Sequence, residues 1–286
     1  MKSLTLVAGI ATIVFGVVSQ AAAVPVPAGV AVEVQAAYQD ASSGPNIAIQ
    51  PGAGSVDEFA QSGPNNGTLS GVNDEAFARA RASNPGTVGA YAQACCFSPS
   101  AGPVSSPTVQ ASAKATQVTH WTASSASGAS MVAIDVLAAI DGAMTTLDFA
   151  GAPAGQVFST VSFTMGVDIG AGVINVFGVS ATLDVVTGLA ANGDWSGSFI
   201  TNLTGAGFDS TVNFSNFYDD AFMVPVNTLF AWVVEIETTA FIGGPFELGA
   251  VADFLNTGDG ALSTDDTGAT LTELTAPAAV SYTHLR

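Results

Sequence analysis

Between residues 131 and 254 the chain alternates runs rich in Val, Ile, Phe and Thr with short breaks of Asp-Gly, Gly-Ala-Gly, Asn-Gly and Gly-Gly. Branched and aromatic side chains suit a pleated, half-buried surface, and the breaks have the composition of tight turns. The runs cover 131–140, 144–149, 157–168, 173–186, 194–200, 210–217, 224–241 and 246–254, and no stretch shows the spacing of a three-turn amphipathic helix. Upstream, Phe77, Arg79 and Arg81 alternate with Ala76, Ala78, Ala80 and Ala82; Asn84, Pro85 and Gly86 then turn the chain into 87–97, a pattern that predicts a hairpin. A further strand is expected over 109–122, ending at His120 and Trp121. Many short strands and no helix predict an all-β fold, an antiparallel β-sandwich or jelly-roll-like single large domain over 74–274. A parallel β-helix would need a short fixed repeat, and Thr146-Leu147-Asp148 recurring as Thr182-Leu183-Asp184 is too little.

The segment 24–73 is rich in Pro, Gly, Ser, Asn and Ala, with one brief alternation from Val30 to Val34. It is expected to be a loop-rich lead-in with a short strand. Ahead of it, Lys2, an apolar run from Leu4 to Val18 and the small residues Ala21, Ala22 and Ala23 have the layout of a cleaved signal peptide over 1–23. That run is about 15 residues, short of the roughly 20 that a membrane-spanning helix needs. No later segment is apolar enough to span as a helix, so the mature chain is expected to be secreted or held at the cell surface. Residues 275–280 form a Thr/Ala/Pro linker. The last six, Ser281, Tyr282, Thr283, His284, Leu285 and Arg286, differ sharply in composition and are expected to be a non-native scar.

Acidic side chains outnumber basic ones by 23 to 5, for a formal charge of −18. Phosphate backbones and anionic lipid surfaces are held by Lys and Arg, so nucleic acid is excluded as a partner. Divalent cations and cationic surfaces are compatible with this charge, which also serves to keep a Gly- and Ala-rich chain in solution. The two cysteines, Cys95 and Cys96, are adjacent. A vicinal disulfide, an intermolecular bridge and two buried thiols all remain open.

The alternating Ala-rich runs at 76–82 and 111–115, the stretch Val224-Pro225-Val226 leading to Leu229 and Phe230, and Ala252-Asp253-Phe254-Leu255-Asn256-Thr257 near the end together resemble the PEP-CTERM exported proteins of bacteria. The linker at 275–279 is similar to the segment that precedes their sorting tail. The chain departs from the pattern after Val280: the Pro-Glu-Pro signature, the apolar helix and the basic end do not follow. The resemblance implies export, sorting by an exosortase-like system and retention at the surface or in an exopolysaccharide matrix. It implies no particular chemistry.

Catalysis by a Ser/His/acid set has His120 as its sole imidazole outside the terminal hexapeptide, with no G-x-S-x-G elbow. Glycoside hydrolysis needs two carboxylates, and Glu235 with Glu237 on one strand face is the best pair, with Asp135, Asp148 and Asp168 as further acids. Solvated carboxylates on an outward sheet face are the commoner explanation of such a pair, and no catalytic residue is assigned. Trp195, Trp232 and Trp121 are the candidates for stacking on sugar rings. The pair Asp219-Asp220, or Asp259 with Asp265 and Asp266 amid Gly and Thr, could ligate calcium, the sole cofactor expected if there is one. The reading is a non-enzymatic structural protein of an extracellular matrix or envelope, with extracellular polysaccharide or surface components as partners. The alternative is a carbohydrate-binding or carbohydrate-cleaving module.

Overall fold

A computed structural model describes residues 27–38, 41–51, 54–63, 75–84, 87–95, 108–148, 156–193, 200–204, 209–243 and 248–274. The described residues form two antiparallel sheets with no helix, which is the expected β-sandwich. Numbered in chain order, the first sheet runs β10 (Gly188–Gly193), β9 (Ile174–Asp184), β8 (Val157–Asp168), β13 (Leu229–Gly243), β6 (Thr108–Ser125), β1 (Gly29–Tyr38) and β2 (Ala41–Pro51). The short β15 (Ala269–Leu274) pairs with the far end of β6. The second sheet runs β11 (Ile200–Thr204), β12 (Asp209–Pro225), β7 (Met131–Asp148), β14 (Leu248–Ser263), β5 (Val88–Cys95), β4 (Glu75–Asn84) and β3 (Gly54–Ser62).

The period-2 pattern of the sequence becomes the two faces of each sheet. Along β13, Phe230, Trp232, Val234, Ile236, Ala240 and Ile242 point inward, while Val233, Glu235, Glu237 and Thr239 point out. The layer between the sheets is graded along its width. Toward β7, β8, β9 and β12 it holds large side chains, among them Phe163, Phe177, Met165, Leu183, Phe214 and Phe254. Toward β4, β5 and β6 it is almost entirely alanine: Ala76, Ala78, Ala80, Ala82, Ala90, Ala92, Ala94, Ala111, Ala113 and Ala115 are all buried. Methyl groups facing methyl groups let the backbones approach more closely than the roughly 10 Å usual for stacked sheets.

Three expectations are corrected. Segment 24–73 supplies three strands where a lead-in with one short strand was expected: β1 lies between β6 and β2 inside the first sheet, β2 is its edge, and β3 is the edge of the second. Its Pro and Gly content misleads because an edge strand tolerates both; Pro45 sits in β2, next to Gly44 at φ +97° and opposite a bulge at Val34/Ala36. Asp141-Gly142, which looked like a turn, lies in the middle of one unbroken strand, β7. A Cβ at Gly142 would sit 2.3 Å from the ring of Phe254, so this glycine clears room for a crossing aromatic. The run expected over 224–241 is divided, with β12 ending at Pro225 and β13 starting at Leu229. Asn227, at φ +58°, makes the turn between them.

Candidate functional site

The sugar-stacking candidates do not converge. Trp232 is in the core at 3% exposure, its ring parallel to Phe222 (5° between planes, centroids 5.9 Å apart), so it offers no face to a ligand in solution. Trp121 is half-buried on the inner side of β6, and its indole N–H donates to Thr119 Oγ1 at 2.7 Å. Trp195 lies outside the described residues.

The acids are engaged in structural bonds. Asp168 is buried at the end of β8, where its Oδ1 accepts the backbone N–H groups of Gly170 (2.7 Å) and Gly172 (3.0 Å). Asp184 repeats the device at the end of β9, accepting from Val186 (2.9 Å) and Thr187 (2.8 Å). These are carboxylates closing turns by mimicking a backbone acceptor. Glu235 and Glu237 share the outer face of β13 as their spacing required, but Glu235 is held by Lys114 Nζ at 2.8 Å and accepts from the Thr116 hydroxyl at 3.1 Å. The side chain of Asp148 lies outside the described residues. His120 is half-buried on β6, opposite Ala231 of β13.

Of the calcium candidates, Asp266 accepts the backbone N–H of Ala133 at 2.8 Å, and the N–H of Asp265 is bound by Asp135 Oδ2 at 3.1 Å. Together they fasten the loop between β14 and β15 to the start of β7. Asp219 and Asp220 are exposed on β12, and Asp220 Oδ1 accepts the N–H of Ala221 at 2.7 Å. Asp259 is in β14, opposite Ala139, with its side chain outside the described residues. Among the described residues no group of three or more His, Cys, Asp or Glu is placed to hold a metal ion. Cys95, at the end of β5, is disulfide-bonded, so it is not a buried free thiol; Cys96 lies outside the described residues.

What the fold does gather is a set of aromatic side chains on the outer face of the second sheet. Phe59 of β3, Phe77 of β4 and Tyr91 of β5 occupy three adjacent strands. Each is flanked by inward alanines, Ala60, Ala76 and Ala78, and Ala90 and Ala92, so each ring points away from the core. Phe59 is 59% exposed. The Phe59 and Phe77 rings are 24° from parallel with centroids 6.3 Å apart, too far for face-to-face overlap, and Phe77 meets Tyr91 edge-on at 5.8 Å. Arg79, between them in register, forms two hydrogen bonds to Asp57, at 2.9 Å from Nε and 2.6 Å from Nη2. The guanidinium hydrogen bond holds the Asp57 carboxyl below the usual aspartate range. Tyr91 donates its hydroxyl to Gln93 Oε1. The alternation at 76–82 was the sequence signal of this face, yet only the pairing of β3, β4 and β5 brings the three rings together.

A second exposed apolar feature, on the other sheet, is a shallow hollow lined by Pro27, Val30, Ile49 and Val118, with no titratable group in its wall. Among the described residues no helix is long and apolar enough to cross a membrane. No known protein family, curated protein or solved structure matches this chain.

Proposed function

We propose that this chain is a non-enzymatic structural protein of an extracellular matrix or cell envelope, exported by way of its leader at 1–23. The observation that carries the reading is the engagement of several of its acids, and of Lys114, in scaffolding. Asp168 and Asp184 close turns, Asp135 and Asp266 fasten a loop, and Glu235 is tied to Lys114 and Thr116. Catalysis asks instead for titratable groups converging on a substrate with their lone pairs available. A charge of −18 on a two-sheet body suits a component that stays hydrated and separate within a crowded matrix. The likeness to exported PEP-CTERM proteins supports the location. The test is fractionation of the producing cells with an antibody to this chain. Recovery in the washed matrix or surface fraction, with a leaderless amino terminus beginning near Val24, is expected; recovery of the uncleaved chain in the cytoplasm would overturn the proposal.

A further inference from the structure

The charged side chains of β3 and β4 decide which faces of β3, β4 and β5 are buried. Each strand has a choice of two faces, and a one-residue slip exchanges them. The arrangement adopted buries Ala60, Ala76, Ala78, Ala90 and Ala92 and turns Phe59, Phe77 and Tyr91 outward. The exchange would bury the rings only by also burying Arg79, Arg81 and Asp57, so the rings stay at the surface among these charges. Phe77 neighbours both other rings, with centroids 6.3 Å from Phe59 and 5.8 Å from Tyr91, while Arg79 stands in register between Phe59 and Tyr91. The rings are bordered by hydrogen-bonding groups: the Arg79–Asp57 pair on one side and the amide of Gln93 on the other.

We propose that this face binds a neutral polysaccharide chain, with Phe59, Phe77 and Tyr91 stacking on the C–H faces of successive sugar rings and Arg79, Asp57 and Gln93 meeting their hydroxyls. The inference rests on the extracellular reading above and names the partner. Ring faces carry the negative side of the aromatic quadrupole, and sugar C–H groups present complementary partial positive charge. Charge selects the neutral polymer. On this face Arg79 is paired with Asp57, with 2.6 Å between Nη2 and Oδ2, and the second cation, Arg81, is matched by Asp253, opposite Tyr91 on β14, so the patch offers no net attraction to a polyanion, and the molecule as a whole, at −18, repels one. A polycation would be drawn to the exposed acids elsewhere, such as Glu237 and Asp219, and not to this face.

The test is native gel electrophoresis of the purified protein through gels containing xyloglucan, galactomannan or mixed-linkage β-glucan, with alginate as the anionic comparison. Retardation by at least one neutral polymer is expected, persisting in high salt. Phe59→Ala should weaken it by on the order of tenfold, the scale of one aromatic stacking contact, and Tyr91→Ala likewise. Ile49→Ala, on the exposed apolar hollow of the other sheet, should leave it unchanged. Phe59 is mostly solvent-exposed, so its variant keeps the test valid even if Tyr91→Ala unfolds; circular dichroism checks both. Unaltered migration in every neutral polymer would overturn the inference. So would binding confined to alginate, or a self-association that Phe59→Ala abolishes, which would make a second copy the occupant of the face. Failure here in a protein recovered from the matrix leaves the proposed function standing, whereas retardation of a protein found in the cytoplasm does the reverse.

Discussion

At the scale of single residues, two kinds of carboxylate behave differently. Asp168 is buried and accepts two backbone N–H groups, so removing it takes away the acceptor that closes this turn. Asp168→Ala is expected to lower the stability to urea unfolding by about 1–3 kcal/mol. Asp57 is exposed, and its bidentate bridge to Arg79 is worth no more than about 1 kcal/mol. Its carboxyl titrates below the usual aspartate range because Arg79 donates to the charged form. The folded value is depressed, so the small contribution is present above the unfolded value and is lost as pH falls through the folded one. Carbon-detected NMR titration should find Asp57 below the usual aspartate range, and Arg79→Ala should move it back up. Neither role was legible in the chain: the run 157–168 ends at Asp168, but this acid reads as a further acid for Glu235 and Glu237 until the turn N–H groups are seen to fold back onto it.

At the scale of elements, the alanine strands set the separation of the sheets. Ala78 and Ala92 are fully buried between β4, β5 and the facing strands β1 and β6. A leucine at either position has no volume to enter, and overpacking of this kind costs about 1–3 kcal/mol. Ala92→Leu should therefore shift the urea midpoint down, while Phe77→Leu on the opposite face of β4 should change it little. Close approach also explains Gly89, where a Cβ would come within 1.9 Å of the Leu255 carbonyl oxygen at the bulge of β14. Strand existence and alternation were legible along most of the chain, since period 2 survives any partner. Strand ends were not: Asp141-Gly142 has turn composition, and only the ring of Phe254 lying over it reveals why the glycine is there.

At the scale of the molecule, the dominant property is the charge of −18. Self-repulsion of that kind opposes the compact state, and salt screens it. The melting temperature is expected to rise as ionic strength goes from about 0.01 M to about 0.15 M, over which the screening length falls from about 30 Å to about 8 Å. A melting temperature independent of salt would mean that the acids are spaced widely enough for water alone to separate them.

Composition, alternation and turn chemistry by themselves determined that this chain is an all-β sandwich, that it is strongly acidic and that Glu235 and Glu237 share a face, because charge is additive and side-chain alternation is a local property of any strand. Which strands are neighbours is a matter of long-range pairing, set by how faces of different width fit across the core. The tertiary structure alone decided that segment 24–73 builds three strands, that Trp232 is interior, and that Phe59, Phe77 and Tyr91, drawn from three separate strands, share one outward face.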